Sequence, residues 1–177
     1  DAGGLTLASV QDDAPYTYAG ANGKSVNNYD RRYRGFTTLR EAITDSINIV
    51  TVKTLAQAGV SLGWQYVQEY GFTTVDSRDM NEALALGGIT QGVSNLELTA
   101  AYAAIANQGT YIKPKFYTKI LDHDGNVLID NTTPESHTVI KDTTAWLLTS
   151  AMEDVMTSGT GTCLLYTSPS PRDKRQS

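Results

Sequence analysis

Ser46 and Asn48 set a hydroxyl and a carboxamide two residues apart, in the run Thr38-Leu39-Arg40-Glu41-Ala42-Ile43-Thr44-Asp45-Ser46-Ile47-Asn48-Ile49-Val50. At a junction between two helices, such a pair can point into one cleft. There the hydroxyl can relay a proton, and the carboxamide, with donors and an acceptor, can hold a peptide substrate. The pattern S-x-N is common by itself. From spacing alone the competing reading is a capping pair, in which Ser and Asn satisfy free backbone N–H groups at a helix start.

The elements that must position the pair can be read from the chain. Thr38 and Glu41 have the T-x-x-E spacing of a capping box, which starts a helix at Leu39. Leu39, Ala42 and Ile43 then share one face. A second helical pattern starts near Asn48, runs through Val52, Leu55 and Ala56, and ends with Gly59 as the C′ residue. A third covers residues 62–70 and stops at Gly71, and residues 72–80 read as loop. A glycine-rich loop, Gly87-Gly88-Ile89-Thr90-Gln91-Gly92, leads to Ser94 and Glu97, a second capping box. Such a loop before a helix can cradle phosphate. Here no Lys follows it and no Val/Ile strand precedes it, so a nucleotide site is not indicated. Leu98, Ala101, Tyr102 and Ile105 give the next helix an apolar stripe, and Gly109 closes it.

Residues 117–121 and 127–129 read as two strands joined by Asp122-His123-Asp124-Gly125-Asn126, with Asp-Gly as the hairpin signal. Asp142 is expected to cap a last helix through Trp146, Leu147, Met152 and Val155, which Gly159-Thr160-Gly161-Thr162 breaks. Residues 1–35 read as loop and short strand, with Asn22-Gly23 and Asn28 as turn formers.

Composition bounds the function. The chain has 177 residues, enough for one domain with a core, and is 40% hydrophobic and 19% charged, as ordinary globular chains are. Its net charge of −5, with no basic cluster outside the C-terminal tail, argues against nucleic acid as a partner. No apolar run is long enough to cross a bilayer. Cys163 is the sole cysteine, so no internal disulfide can form. His123 and His137 lack the neighbours a metal site needs, and the hairpin turn accounts for Asp122, Asp124 and Asn126 better than an acidic ligand set does. No cofactor and no metal are expected.

The character changes at Cys163. The run Cys163-Leu164-Leu165-Tyr166-Thr167-Ser168, followed by Pro169-Ser170-Pro171-Arg172-Asp173, matches the translation of a transposon-end adapter used in DNA library preparation. Residues 163–177 are therefore expected to be a non-native tail and residues 1–162 a partial domain. Without the tail the chain is more acidic and free of cysteine, which fits an extracytoplasmic address. The start, Asp1-Ala2-Gly3-Gly4, has no initiator Met, so both ends are expected to be cut.

The order of motifs resembles one family. It runs Asn28-Tyr29-Asp30, Tyr33-Arg34-Gly35, Thr38-Leu39-Arg40-Glu41-Ala42, Ser46-x-Asn48 and Ala85-Leu86-Gly87-Gly88. Leu98-x-x-Ala101-Tyr102, Ala106-Asn107-x-Gly109, the hairpin from Lys119 to Gly125 and the closing Gly159-Thr160-Gly161-Thr162 complete it. Each motif is weak alone, but the ordered set resembles the transpeptidase domain of class A penicillin-binding proteins, the bifunctional peptidoglycan synthases.

The resemblance implies an α+β, β-lactamase/transpeptidase-like fold. This chain would hold mostly the helical lobe, with an incomplete central antiparallel sheet and exposed apolar patches beside it. It implies D,D-transpeptidation through a serine acyl-enzyme, with peptidoglycan stem peptides as substrates and β-lactams as mimics. The parent would be anchored in the bacterial cytoplasmic membrane, act on its outer face, and carry an upstream glycosyltransferase domain.

Of the family's three motifs, S-x-x-K, S-x-N and K-T-G, only the second can be carried over, onto Ser46 and Asn48. Ser46 would shuttle a proton; Asn48 would bind the substrate amide and the motif Lys. No S-x-x-K precedes Ser46, and Thr160-Gly161-Thr162 reads as a turn rather than a K-T-G strand, so the fragment alone is expected to be inactive. Two alternatives stand beside this reading. One is a serine β-lactamase or carboxypeptidase relative. The other is a non-catalytic module that senses β-lactam or wall peptide.

Overall fold

A computed structural model describes residues 4–19 and 24–164, so the expected tail lies outside the described residues from 165 onward. At the N-terminal end, β1 (Val10–Asp13) pairs with a later strand, and β2 (Tyr16–Thr17) forms a small antiparallel ladder with β3 (Ser25–Val26). The partner of β1 is β4 (Gly35–Thr38), antiparallel, in the register Val10↔Thr38 to Asp13↔Gly35. Thr38 ends β4 and also caps the helix that follows. Its hydroxyl accepts the Glu41 N–H at 3.2 Å, while the Glu41 carboxylate accepts the Thr38 N–H at 2.9 Å. The expected capping box is therefore formed, and α1 (Leu39–Thr44) starts at the expected residue.

After three residues, Asp45 to Ile47, comes α2 (Asn48–Ala58). Ile49, Val50 and Val52 are fully enclosed, each contributing about 1.5–3 kcal/mol through burial. Gly59 closes α2 as the C-cap itself, at φ +104°, a backbone shape that favours glycine. The helix α3 (Val60–Glu69) then begins at once, two residues before the expected start. The segment expected as loop contains a 3₁₀ turn, Ser77–Asp79, followed by a second, Glu82–Leu86. Buried Asp79 holds the glycine-rich loop by accepting the Thr90 N–H at 2.7 Å and the Thr90 hydroxyl at 2.6 Å.

The helix α4 (Asn95–Ala106) starts at the expected capping box of Ser94 and Glu97. Its expected apolar stripe is corrected. Leu98 is 42% exposed and Tyr102 57%, while the buried face is Ala100, Ala101 and Ala104. The cause is packing against β5 (Thr110–Ile112), where the Tyr111 side chain joins Ala100 and Ala104 in one cluster. Small side chains let the strand approach closely, so the bulkier residues turn outward.

The hairpin of β6 (Lys119–Leu121) and β7 (Val127–Asp130) lies where the turn signal put it, and β8 (Ser136–Thr138) pairs with β5. The helix α5 (Asp142–Thr157) has Lys141 as its N-cap. Asp142 is thus its first residue rather than its cap, with its carboxylate accepting the Thr143 N–H at 2.7 Å. The described residues thus combine helices with four separate two-stranded antiparallel ladders, in accord with the α+β expectation.

Candidate functional site

The junction between α1 and α2 is set by backbone chemistry. The Ser46 N–H reaches the Ile43 carbonyl at 3.3 Å and the Ile47 N–H reaches the Ala42 carbonyl at 2.9 Å. This is the double bond of a Schellman motif, with Ser46 at C′ in the left-handed region, φ +56°. Glycine usually fills that position, because a side chain there costs about 1–2 kcal/mol. The hydrophobic contact of the motif is also present, since Ala42, Ile47 and Val50 pack together. With Ile47 and Ile49 enclosed in the interior, the residues between and beside them, Ser46 and Asn48, face outward.

Ser46 and Asn48 line one open cleft of about 610 Å³. Its other walls come from Asn28, Tyr29, Asp30 and Arg34 on the loop before β4, from Asp45, and from Thr160. The pair does not cap α2. The N-cap is Ile47, which has no capping side chain. The Asn48 carboxamide instead donates to the Asn27 carbonyl at 2.9 Å. Among the described residues no hydrogen bond engages the Ser46 hydroxyl or the Asn48 side-chain oxygen, so both remain open to a ligand in the cleft.

The cap on α2 comes from a residue that the spacing did not single out. The side-chain oxygen of Asn28 accepts the Ile49 N–H at 3.2 Å. Its amide donates to both carboxylate oxygens of Asp13, at 2.8 and 3.0 Å, and to the Arg32 carbonyl at 2.8 Å. Asp13 is fully buried and also accepts the Arg34 N–H at 2.9 Å. Asp30 and Arg34 form an ion pair across the cleft wall at 3.0 Å. The Arg32 N–H first, then Arg34, hold the Asp30 carboxyl below the ordinary carboxylate range. The sequence signal for these residues is the Asn28-Tyr29-Asp30 and Tyr33-Arg34-Gly35 run, legible as a motif but not as a cleft wall.

The far wall is carried by α5 and the turn after it. Arg40 of α1 pairs with Asp154 and donates to the Ser150 hydroxyl at 3.2 Å. The Thr160 N–H donates to the Thr44 carbonyl at 3.3 Å. A β-carbon on Gly159 would lie 2.2 Å from that same carbonyl oxygen, so only glycine fits. Thr160, Gly161 and Thr162 are in turn conformation, not strand, as the reading against a degenerate K-T-G expected. In the hairpin, the Asp122 carboxylate accepts the N–H groups of Asp124 and Asn126 at 2.9 and 2.8 Å, which is turn chemistry. Among the described residues no group of three His, Cys, Asp or Glu could hold a metal ion.

A second, apolar hollow of about 700 Å³ lies between α4 and α5, beside Ile105 and Trp146. Trp146 is 70% exposed, and Gln108, Asp142, Thr143 and Thr149 are the polar residues of the lining.

Residues 1–170 match the family described as penicillin binding protein transpeptidase domain, and the chain belongs to that family. Penicillin-binding protein 1F of Bacillus subtilis is 40% identical over 139 residues, which cover 78% of this chain and 19% of that protein. Penicillin-binding protein 1A of Clostridium novyi is 31% identical over 172 residues, covering 92% of this chain and 20% of that protein. The chain thus spans about a fifth of the length of these relatives. The solved structure of penicillin-binding protein 1A from Haemophilus influenzae aligns with a TM-score of 0.79 at 25% identity, covering 92% of this chain and 30% of that one. These likenesses put the chain in the transpeptidase region of class A penicillin-binding proteins and give it their β-lactamase-like fold.

Proposed function

We propose that this chain is the S-x-N-bearing part of a D,D-transpeptidase that crosslinks peptidoglycan stem peptides. The observation that carries the proposal is the shared cleft of Ser46 and Asn48, with neither side chain used to cap a helix. In the reaction, a serine hydroxyl outside this chain attacks the carbonyl between two terminal D-alanines. The C–N bond breaks, the departing amine takes a proton, and a serine ester remains. Ser46 relays that proton, and the Asn48 oxygen accepts an N–H of the bound peptide. An amine of a second stem peptide then attacks the ester, releases the serine and completes the crosslink. A β-lactam acylates the same serine.

The parent protein acts outside the cytoplasmic membrane, to which it is anchored, and carries a glycosyltransferase domain upstream. The chain by itself, without S-x-x-K and K-T-G, is inactive. In this reading the domain ends at residue 162 and residues 163–177 are foreign, although the family match runs to residue 170. Sequencing the source gene across codon 163 tests that boundary.

The test of function is acylation by a fluorescent penicillin. In the parent enzyme Ser46→Ala and Asn48→Ala should each slow acylation strongly, and the 177-residue chain should take no label. Labelling of the chain at an identified serine would overturn the claim of inactivity. Wild-type acylation in both variants would overturn the assignment of the site. If the parent proves to lack the nucleophilic serine, the non-catalytic binding module replaces it.

A further inference from the structure

We infer that Asn28, acting with buried Asp13, is a positioning residue for the S-x-N junction; this rests on the reading of Ser46 and Asn48 given above. Asn28 is only 4% exposed, and every polar atom of its side chain is engaged. Both Asp13 oxygens accept from the Asn28 amide, so the nitrogen of that carboxamide, and not its oxygen, faces Asp13. That fixes the carboxamide orientation and turns the oxygen toward the Ile49 N–H at 3.2 Å. The next residue back, Asn27, holds the Asn48 side chain through its carbonyl at 2.9 Å. Two adjacent residues therefore grip the first turn of α2 twice, once by backbone and once by the side chain assigned to substrate.

The grip has a chemical consequence. With its nitrogen tied to Asn27, the Asn48 carboxamide cannot spin freely, and its oxygen stays available to an N–H donor in the cleft. The helix supplies no local substitute, because Ile47 at the N-cap has nothing to donate or accept in its side chain. Replacing Asn28 by Asp would keep an acceptor for Ile49 but set two carboxylates together. Replacing it by Ala would take the partner from Asp13 Oδ1 and from the Ile49 N–H, while Oδ2 keeps the Arg34 N–H. Exchanging the two groups restores a bond between positions 13 and 28 and keeps the acceptor for Ile49, but loses the bond to the Arg32 carbonyl, since an amide at position 13 can donate to a carboxylate at position 28 while that carboxylate has nothing to donate.

The experiment uses the full-length parent enzyme and the rate constant for acylation at saturating fluorescent penicillin. It compares wild type, Ser46→Ala, Asn28→Ala, Asn28→Asp, Asp13→Asn and the exchange Asp13→Asn/Asn28→Asp. Expected is a loss of up to about 10²-fold in the Asn28 single variants, the scale of a misplacement near 1 Å, with part of it recovered in the exchange. Melting temperature and the exchange rate of the Ile49 amide are read on each protein, so that a merely structural role, which lowers stability but leaves the rate of the folded enzyme alone, is separated. Wild-type acylation in folded Asn28→Ala, or an exchange variant no faster than the singles, overturns the inference. If Ser46→Ala also acylates like wild type, the reading of the site itself falls; if only the Asn28 variants do, that reading stands and this inference alone is lost. Should Asn28→Ala fail to fold, the comparison of Asn28→Asp with the exchange decides in the same way.

Discussion

The side-chain oxygen of Asn28 caps the Ile49 N–H from 21 residues away, at 3.2 Å. A helix start that would ordinarily be finished by its own N-cap is finished by a loop instead. The loop residue and the helix residue thereby share one fate: any shift of the Asn28-Tyr29-Asp30 segment moves the first turn of α2, and with it one wall of the cleft.

Ser46 holds a glycine position with a side chain. Ser46→Gly should therefore raise stability by about 1 kcal/mol, by relief of the left-handed strain, and Ser46→Ala should not. Both should lose acylation in the parent enzyme. Urea denaturation of the two variants checks the first half, and penicillin labelling the second. A Ser46→Gly variant less stable than Ser46→Ala would contradict the Schellman geometry.

Gly159→Ala forces a β-carbon to 2.2 Å from the Thr44 carbonyl oxygen. The turn must move away from α1, at a cost of about 1–3 kcal/mol, as for other overpacked sites. Thr160 moves with it, so the bond to Thr44 is lost. Amide exchange at Thr160 should speed up in the variant; an unchanged rate would show that the turn tolerates the extra carbon.

Acid should weaken the start of α4. Glu97 accepts the Thr73 hydroxyl and the N–H groups of Thr73 and Ser94. These bonds, that from the Thr73 hydroxyl foremost, lower its carboxyl from 4.5 to about 2. A lowered folded value means the stabilisation is complete above pH 4.5 and is lost as pH falls toward 2. Thr73→Val should flatten that part of the stability-against-pH curve, measured by thermal unfolding between these limits. A Thr73→Val curve parallel to wild type would remove Glu97 as its source.

The α4 correction is also testable. Leu98→Gln should change the stability of the 177-residue chain by no more than about 0.5 kcal/mol, as for exposed sites. Ala104→Leu, on the face packed by Tyr111, should cost about 1–3 kcal/mol. Thermal melts of the two variants, compared side by side, settle which face of α4 is inside.

The parts legible in the sequence are those governed by local chemistry. Thr38/Glu41 and Ser94/Glu97 announced two helix starts because a capping box is complete within four residues. The Asp-Gly turn announced the β6–β7 hairpin for the same reason. Motif order singles out Ser46 and Asn48, and the two residues line one cleft. What stayed hidden depends on distant partners. The inside face of α4 is hidden from the sequence because Tyr111 chooses it, and not the bulk of Leu98 and Tyr102. Asn28 looked like a turn former because nothing nearby in sequence shows that its partners are Asp13 and Ile49. The short strands β1 and β4 carry too few residues for alternation to show; only their pairing reveals them.

One bond made by the chain as it leaves α5 has a practical consequence. The amide of Thr160 is stitched to the end of the opening helix, and its side chain forms part of the cleft rim. Whatever polypeptide continues from this point must set out from the doorway of the binding trough. A tag or reporter joined directly after Thr160 would therefore crowd the entry that a ligand must use.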